Sequence, residues 1–175
     1  MPDDDLDNAR DFPHCWRGIS APRYVANTAG ERRALIDREL DRLSAGQGGV
    51  MYLEIDRAGD EFTVLDRYRG VVRIADDRSV PELVEFMRVG VAVEHGAAEY
   101  VRFRLDGDEQ TIYATQNPNP TSGQPRVLYD ACVPTYFPPN TIVPLETVRQ
   151  LMLDFALHGE WSHATAWRVH EHMVA

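Results

Sequence analysis

A chain of 175 residues with 28 acidic and 18 basic side chains carries a formal charge of −10, which repels phosphate backbones and anionic lipid and attracts basic partners. Its 43% apolar content, with seven Tyr, six Phe and three Trp, excludes a disordered chain and suits one compact domain over 1–175. No apolar run nears the ~20 residues of a membrane span, and Met1-Pro2-Asp3-Asp4-Asp5 is acidic where a signal peptide is positive, so a cytoplasmic protein is expected.

Every basic residue is arginine; the sequence has no lysine. The two cysteines, Cys15 and Cys132, stand far apart and match no zinc or redox spacing, which reads as two buried thiols in a reducing compartment.

Residues 1–27 read as an irregular lead-in, an acidic tip followed by Phe12-Pro13-His14-Cys15-Trp16 laid on the core. Thr28 and Glu31 form a capping-box signature, and Leu35, Ile36, Leu40 and Leu43 follow with helical spacing. Arg32, Arg33, Asp37, Arg38, Asp41 and Arg42 fill the other face as solvated pairs, and Gly46-Gln47-Gly48-Gly49 ends the helix. The period then changes. Val50 to Asp56 and Phe62 to Leu65 are β-favouring runs around the turn-prone Ala58-Gly59-Asp60, which predicts a hairpin.

Arg69 to Ile74 is a third expected strand, and Pro81 to Met87 reads as a short helix with proline in its first turn. Tyr100 to Leu105 and Thr111 to Thr115 flank Asp106-Gly107-Asp108-Glu109, a second hairpin signal. Alternation of Tyr100, Arg102 and Arg104 with Val101, Phe103 and Leu105 predicts one wet face there. The polar loop from Asn117 to Pro125 is expected to join two strands of one sheet, the second being Val127 to Val133. A second helix from Pro144 to Leu157 places Val148, Leu151, Met152 and Phe155 on one face, and Gly159 stops it. The pattern is α+β: an antiparallel sheet of about five to seven strands packed with two main helices.

Chemistry is sparse. Four of six histidines, His158, His163, His170 and His172, lie in the last 18 residues, and an extended Arg168 to His172 would put His170 and His172 on one face as potential chelators. The spacing matches no helical zinc motif, and exposed terminal histidines are the plainer reading. Glu171 lacks the partner group and pocket that a general base needs. There is no nucleophile elbow and no dinucleotide fingerprint, and the glycines at 46–49 precede a strand where a phosphate loop precedes a helix.

Charge is the remaining signal. From Glu82 to Glu109 run seven acids (Glu82, Glu85, Glu94, Glu99, Asp106, Asp108, Glu109) and three arginines. Such a run is commonly a solvated face; as a binding surface it would meet basic residues and raise association rate and specificity.

The C-terminal third carries Ile142-Val143-Pro144-Leu145-Glu146-Thr147-Val148-Arg149, Leu153-Asp154-Phe155-Ala156, Gly159 and then Trp167. This pattern resembles the Imm-one family of bacterial polymorphic-toxin immunity proteins, in which a proline-started helix ends in Gly and a short run leads to a Trp in a final strand. The family usually has a proline between the two, where this chain has Glu160-Trp161-Ser162-His163. Gly159 and Trp167 equally suit a helix cap and a core aromatic.

The resemblance implies no catalysis, no cofactor and no metal, and a partner that is a cognate secreted toxin, often a nucleic-acid deaminase (cytosine, for example) or a nuclease. The expected toxin contacts are Asp60, Glu61, Asp106, Asp108 and Glu109, with neither nucleic acid nor membrane as a partner. Two alternatives stay open: a small metal-dependent enzyme using the C-terminal histidines, and a general protein-interaction module.

Overall fold

The computed structural model describes residues 23–46, 48–56, 61–65, 83–104, 110–130, 135–159 and 167–169. The expected strand at 69–74 and the aromatic stretch at 12–16 lie outside them, as do Cys15 and Cys132.

Strand β1 (Arg23–Ala26) leads into helix α1 (Ala29–Ala45), whose start is fixed by the anticipated capping box. Thr28 Oγ1 accepts from the Glu31 amide at 3.2 Å, and the Glu31 carboxylate accepts from the Thr28 and Asn27 amides, each at 3.0 Å. Those bonds to the Thr28 and Asn27 amides and the Thr28 hydroxyl hold the Glu31 carboxyl below its ordinary range. Strands β2 (Gly49–Asp56) and β3 (Glu61–Leu65) form the predicted hairpin.

The segment expected to turn helical is instead strand β4 (Leu83–Ala92), which pairs over its whole length with β5 (His95–Arg104) and over six residues with β2. The Pro-Glu-Leu-Val start suits a helix locally, but Met87, Val89 and Val91 alternate with Phe86, Arg88 and Gly90. A central strand rewards that alternation by burying both faces, and tertiary pairing overrides local propensity. Beyond β5 come β6 (Gln110–Thr115) and β10 (Trp167–Val169). The antiparallel order is β1-β3-β2-β4-β5-β6-β10, and the short β9 (Val143–Pro144) pairs with the start of β5.

One face of the sheet carries both helices. Helix α2 (Leu145–His158) follows β9 and ends at Gly159, whose φ of 68° is the left-handed conformation that glycine adopts without strain. Arg32 of α1 donates to the Ala156 carbonyl at 2.7 Å, and Arg149 of α2 donates to Asp37 at 2.8 Å. These contacts run in opposite directions along the two helices, so α1 and α2 lie antiparallel. Between them and the sheet pack Ile36, Leu40, Met51, Leu53, Phe62, Met87, Tyr100, Leu151, Met152 and Phe155. Arg32 is therefore buried, not one of a solvated pair.

The other face is covered too. Strands β7 (Leu128–Asp130) and β8 (Thr135–Tyr136) form a separate two-stranded sheet, so the 117–125 loop joins two sheets and not two strands of one. The loop is pinned by Asn117, whose side-chain amide donates to the Ile142 carbonyl at 2.8 Å. The small sheet packs tightly over Gly90, where a Cβ would clash with the Leu128 carbonyl oxygen and stand 2.7 Å from Val127 and 2.9 Å from Phe137. Tyr100 and Val101, on opposite faces of β5, are both buried, so the expected wet face is confined to the strand's end, where Arg102 is exposed.

Candidate functional site

The acids of the 82–109 run divide by strand position. Glu99 is 1% exposed on the small-sheet side of β5, directly across from Arg88 of β4. Arg88 donates to it at 3.1 Å, and the Tyr129 hydroxyl of β7 donates to the same carboxylate oxygen at 3.0 Å. The guanidinium also lies 4.0 Å over the Tyr129 ring and 5.5 Å from the Tyr52 ring. Burial works to lower the Arg88 pKa, but Tyr129, Tyr52 and Glu99 outweigh it, so the group is held even more firmly protonated. Burial and the Glu99 charge together push the Tyr129 hydroxyl well above its ordinary range.

On the helix side, Glu85 accepts from the Tyr100 hydroxyl at 2.7 Å and sits 3.6 Å from Arg102. Glu85 and Glu99 thus serve the interior, and the run is not one continuous solvated face. Of the acids in it, Glu94 is the described one that stands exposed.

Glu94 belongs to a groove of about 520 Å³ bounded by three elements. Asp37, Leu40, Asp41 and Ser44 come from one stripe of α1, Val93 and Glu94 form the two-residue turn between β4 and β5, and Pro144, Leu145, Glu146 and Arg149 open α2. The Leu145 amide donates to the Glu94 carbonyl at 2.9 Å, which fixes the turn against the start of α2.

Four carboxylates rim the groove against a single cation, Arg149, which already engages Asp37 at 2.8 Å and Glu146 at 3.7 Å. The Asp37 hydrogen bond is the main reason the Arg149 pKa is raised. Val93 has a φ of 52°, the only positive value at a non-glycine among the described residues, and the residue is 62% exposed. A β-branched residue there is strained where hairpin geometry ordinarily asks for glycine.

No metal site accompanies this. Among the described residues no group of three or more His, Cys, Asp or Glu side chains could hold an ion. His163, His170 and His172 lie outside them, and His158 is an exposed residue at the end of α2. Also among the described residues, no helix is long and apolar enough to cross a membrane.

The family model for "Immunity protein Imm1" matches residues 25–169 of the 175-residue chain. The chain belongs to this family. No curated protein and no solved structure matches it. The match runs from within β1 to the end of β10, so it takes in both helices and all of the described sheet except Arg23 and Tyr24.

Within this immunity protein, Gly159 and Trp167 have architectural positions. Gly159 caps α2, its amide donating to the Phe155 carbonyl at 2.8 Å. Trp167 opens β10 opposite Thr115 and packs, half-buried, against the helix-side core. Of the expected toxin contacts, Glu61 begins β3 across from Asp56, while Asp60, Asp106, Asp108 and Glu109 lie outside the described residues. The strand ends flanking them (Asp56 and Glu61, Arg104 and Gln110) share one end of the sheet; the Val93 turn and its groove occupy the other. The groove was missed in the sequence because Ala92-Val93-Glu94-His95 carries no Gly, Asn or Asp to signal a turn.

Proposed function

We propose that this immunity protein binds a toxin produced with it, one that acts on nucleic acid as a cytosine deaminase or a nuclease does, and neutralises it in the cytoplasm by covering its active site. The supporting observation is a family match over 25–169 in a chain of charge −10. An enzyme that handles nucleic acid surrounds its active site with basic residues to hold phosphate, and an acidic protein complements that surface in sign. The immunity protein performs no reaction. Its buried ionic pair, Arg88 with Glu99, is engaged inside the fold.

In this reading Asp60, Glu61, Asp106, Asp108 and Glu109 add to the field that steers the toxin inward. Mixing the purified chain with the toxin domain encoded by the adjacent gene should give a stoichiometric complex and abolish toxin turnover. A toxin that stays fully active with excess immunity protein present would refute the reading.

A further inference from the structure

The groove between α1, the β4–β5 turn and the start of α2 suits a particular kind of contact. Its floor is apolar, with Leu40 and Leu145 below and Val93 and Pro144 at the edge. Its rim holds Asp37, Asp41, Glu94 and Glu146. Arg149 offsets one of these charges, and the Glu94 carboxylate has no partner among the described residues. A concave surface with apolar ground and surplus negative charge takes an extended or looped segment that presents an aliphatic residue beside an arginine or lysine.

A second copy of this chain fits badly, because two molecules of charge −10 would bring carboxylates to carboxylates. Val93 supports the assignment from another side. Strain at such a position persists where the surrounding structure or a function requires it. Here the strained side chain is turned out to solvent instead of into the core.

We propose that this groove receives a basic surface segment of the cognate toxin, with Val93 as the apolar anchor and Asp41 and Glu94 as the charge partners. The inference rests on the immunity reading above and names the contact surface for it. It places that contact at the opposite end of the sheet from Glu61.

The test measures binding kinetics of the full chain to the adjacent-gene toxin domain, itself carrying an inactivating substitution. The variants are Asp41→Arg with Glu94→Arg, Val93→Gly, and Glu61→Arg with Asp108→Arg as the far-end comparison. The groove charge reversal should raise Kd about a hundredfold, mainly by slowing association, and the far-end reversal less than about fivefold. Val93→Gly should raise Kd about tenfold with an unchanged or higher Tm, a combination that a purely structural role for Val93 would not give. If wild type binds and both groove variants bind equally well, the groove assignment is overturned while the immunity reading stands. If wild type does not bind, both fall. A wild-type chain that sediments as a dimer, made monomeric by the groove reversal, would assign the groove to self-association and overturn the proposal.

Discussion

The Tyr129 hydroxyl donates to the Glu99 carboxylate at 3.0 Å, and this bond fastens the small β7–β8 sheet to the middle of the large one. Arg88 closes the arrangement from β4, with a 3.1 Å bond to Glu99 and its guanidinium against the Tyr129 ring. The β4–β5 hairpin and the remote β7 are thereby held by one buried carboxylate. Glu99→Ala leaves Arg88, whose Nε already lacks an acceptor among the described residues, with its main counter-charge removed. Removing one partner of a buried ion pair costs about 3–5 kcal/mol, and the urea midpoint should fall accordingly. A midpoint within error of wild type would mean the triad adds nothing to stability.

Tyr129 also makes a prediction about pH. Because burial and Glu99 raise its pKa, the folded chain keeps this proton where the unfolded chain has released it. The stabilisation is complete below the ordinary tyrosine pKa of about 10 and drains away as pH rises beyond it. Tyr129→Phe removes a hydrogen bond to a charged group, worth about 1.5–3 kcal/mol at neutral pH. The gap between wild type and variant, read by urea unfolding, should narrow above pH 10; a constant gap would contradict the raised pKa.

Gly90 leaves no room for a side chain beneath the small sheet. A methyl group there meets the Leu128 carbonyl, which is backbone and cannot swing away, together with Val127 and Phe137. Gly90→Ala should cost about 3 kcal/mol, at the upper end for overpacking, with the near-ultraviolet signal of Tyr129 and Tyr136 disturbed. An alanine variant as stable as wild type would show that the small sheet is free to shift.

What was legible in the sequence follows the physics of each signal. The capping box at Thr28, the left-handed Gly159 and the apolar spacing of both helices are local, and all three stand where the residues put them. The β4 segment reads as a helix because its proline and first acid mimic a helix start, while the pairing that makes it a central strand involves β2, far back along the chain, and β5, joined by a turn that carries no glycine, Asn or Asp. The same holds for Glu99. In sequence it is one acid in an acidic run, and its burial depends on Arg88 and Tyr129, neither of which is adjacent to it. The groove joins α1, a turn and α2, so it has no footprint in any one segment.

The capping box gives a smaller and cleaner effect. Thr28→Ala frees the Glu31 amide of its acceptor and should lower stability by about 1 kcal/mol, measured by urea unfolding. Since the amides of Thr28 and Asn27 depress the Glu31 pKa, its contribution is present above the ordinary carboxylate range and is lost as pH falls through the depressed value. Glu31→Gln should therefore flatten part of the acid limb of the stability curve.

Salt separates the two components of the proposed toxin contact. Screening shortens to about 8 Å at physiological ionic strength and to 3 Å at 1 M, so steering by the distant acids fades first. The association rate should drop about tenfold or more between 0.05 M and 0.5 M salt, while dissociation, governed by the seated Val93 and the groove floor, changes little. Stopped-flow mixing with the inactivated toxin domain reads both rates. An association rate indifferent to salt would show that the −10 charge has no part in finding the partner.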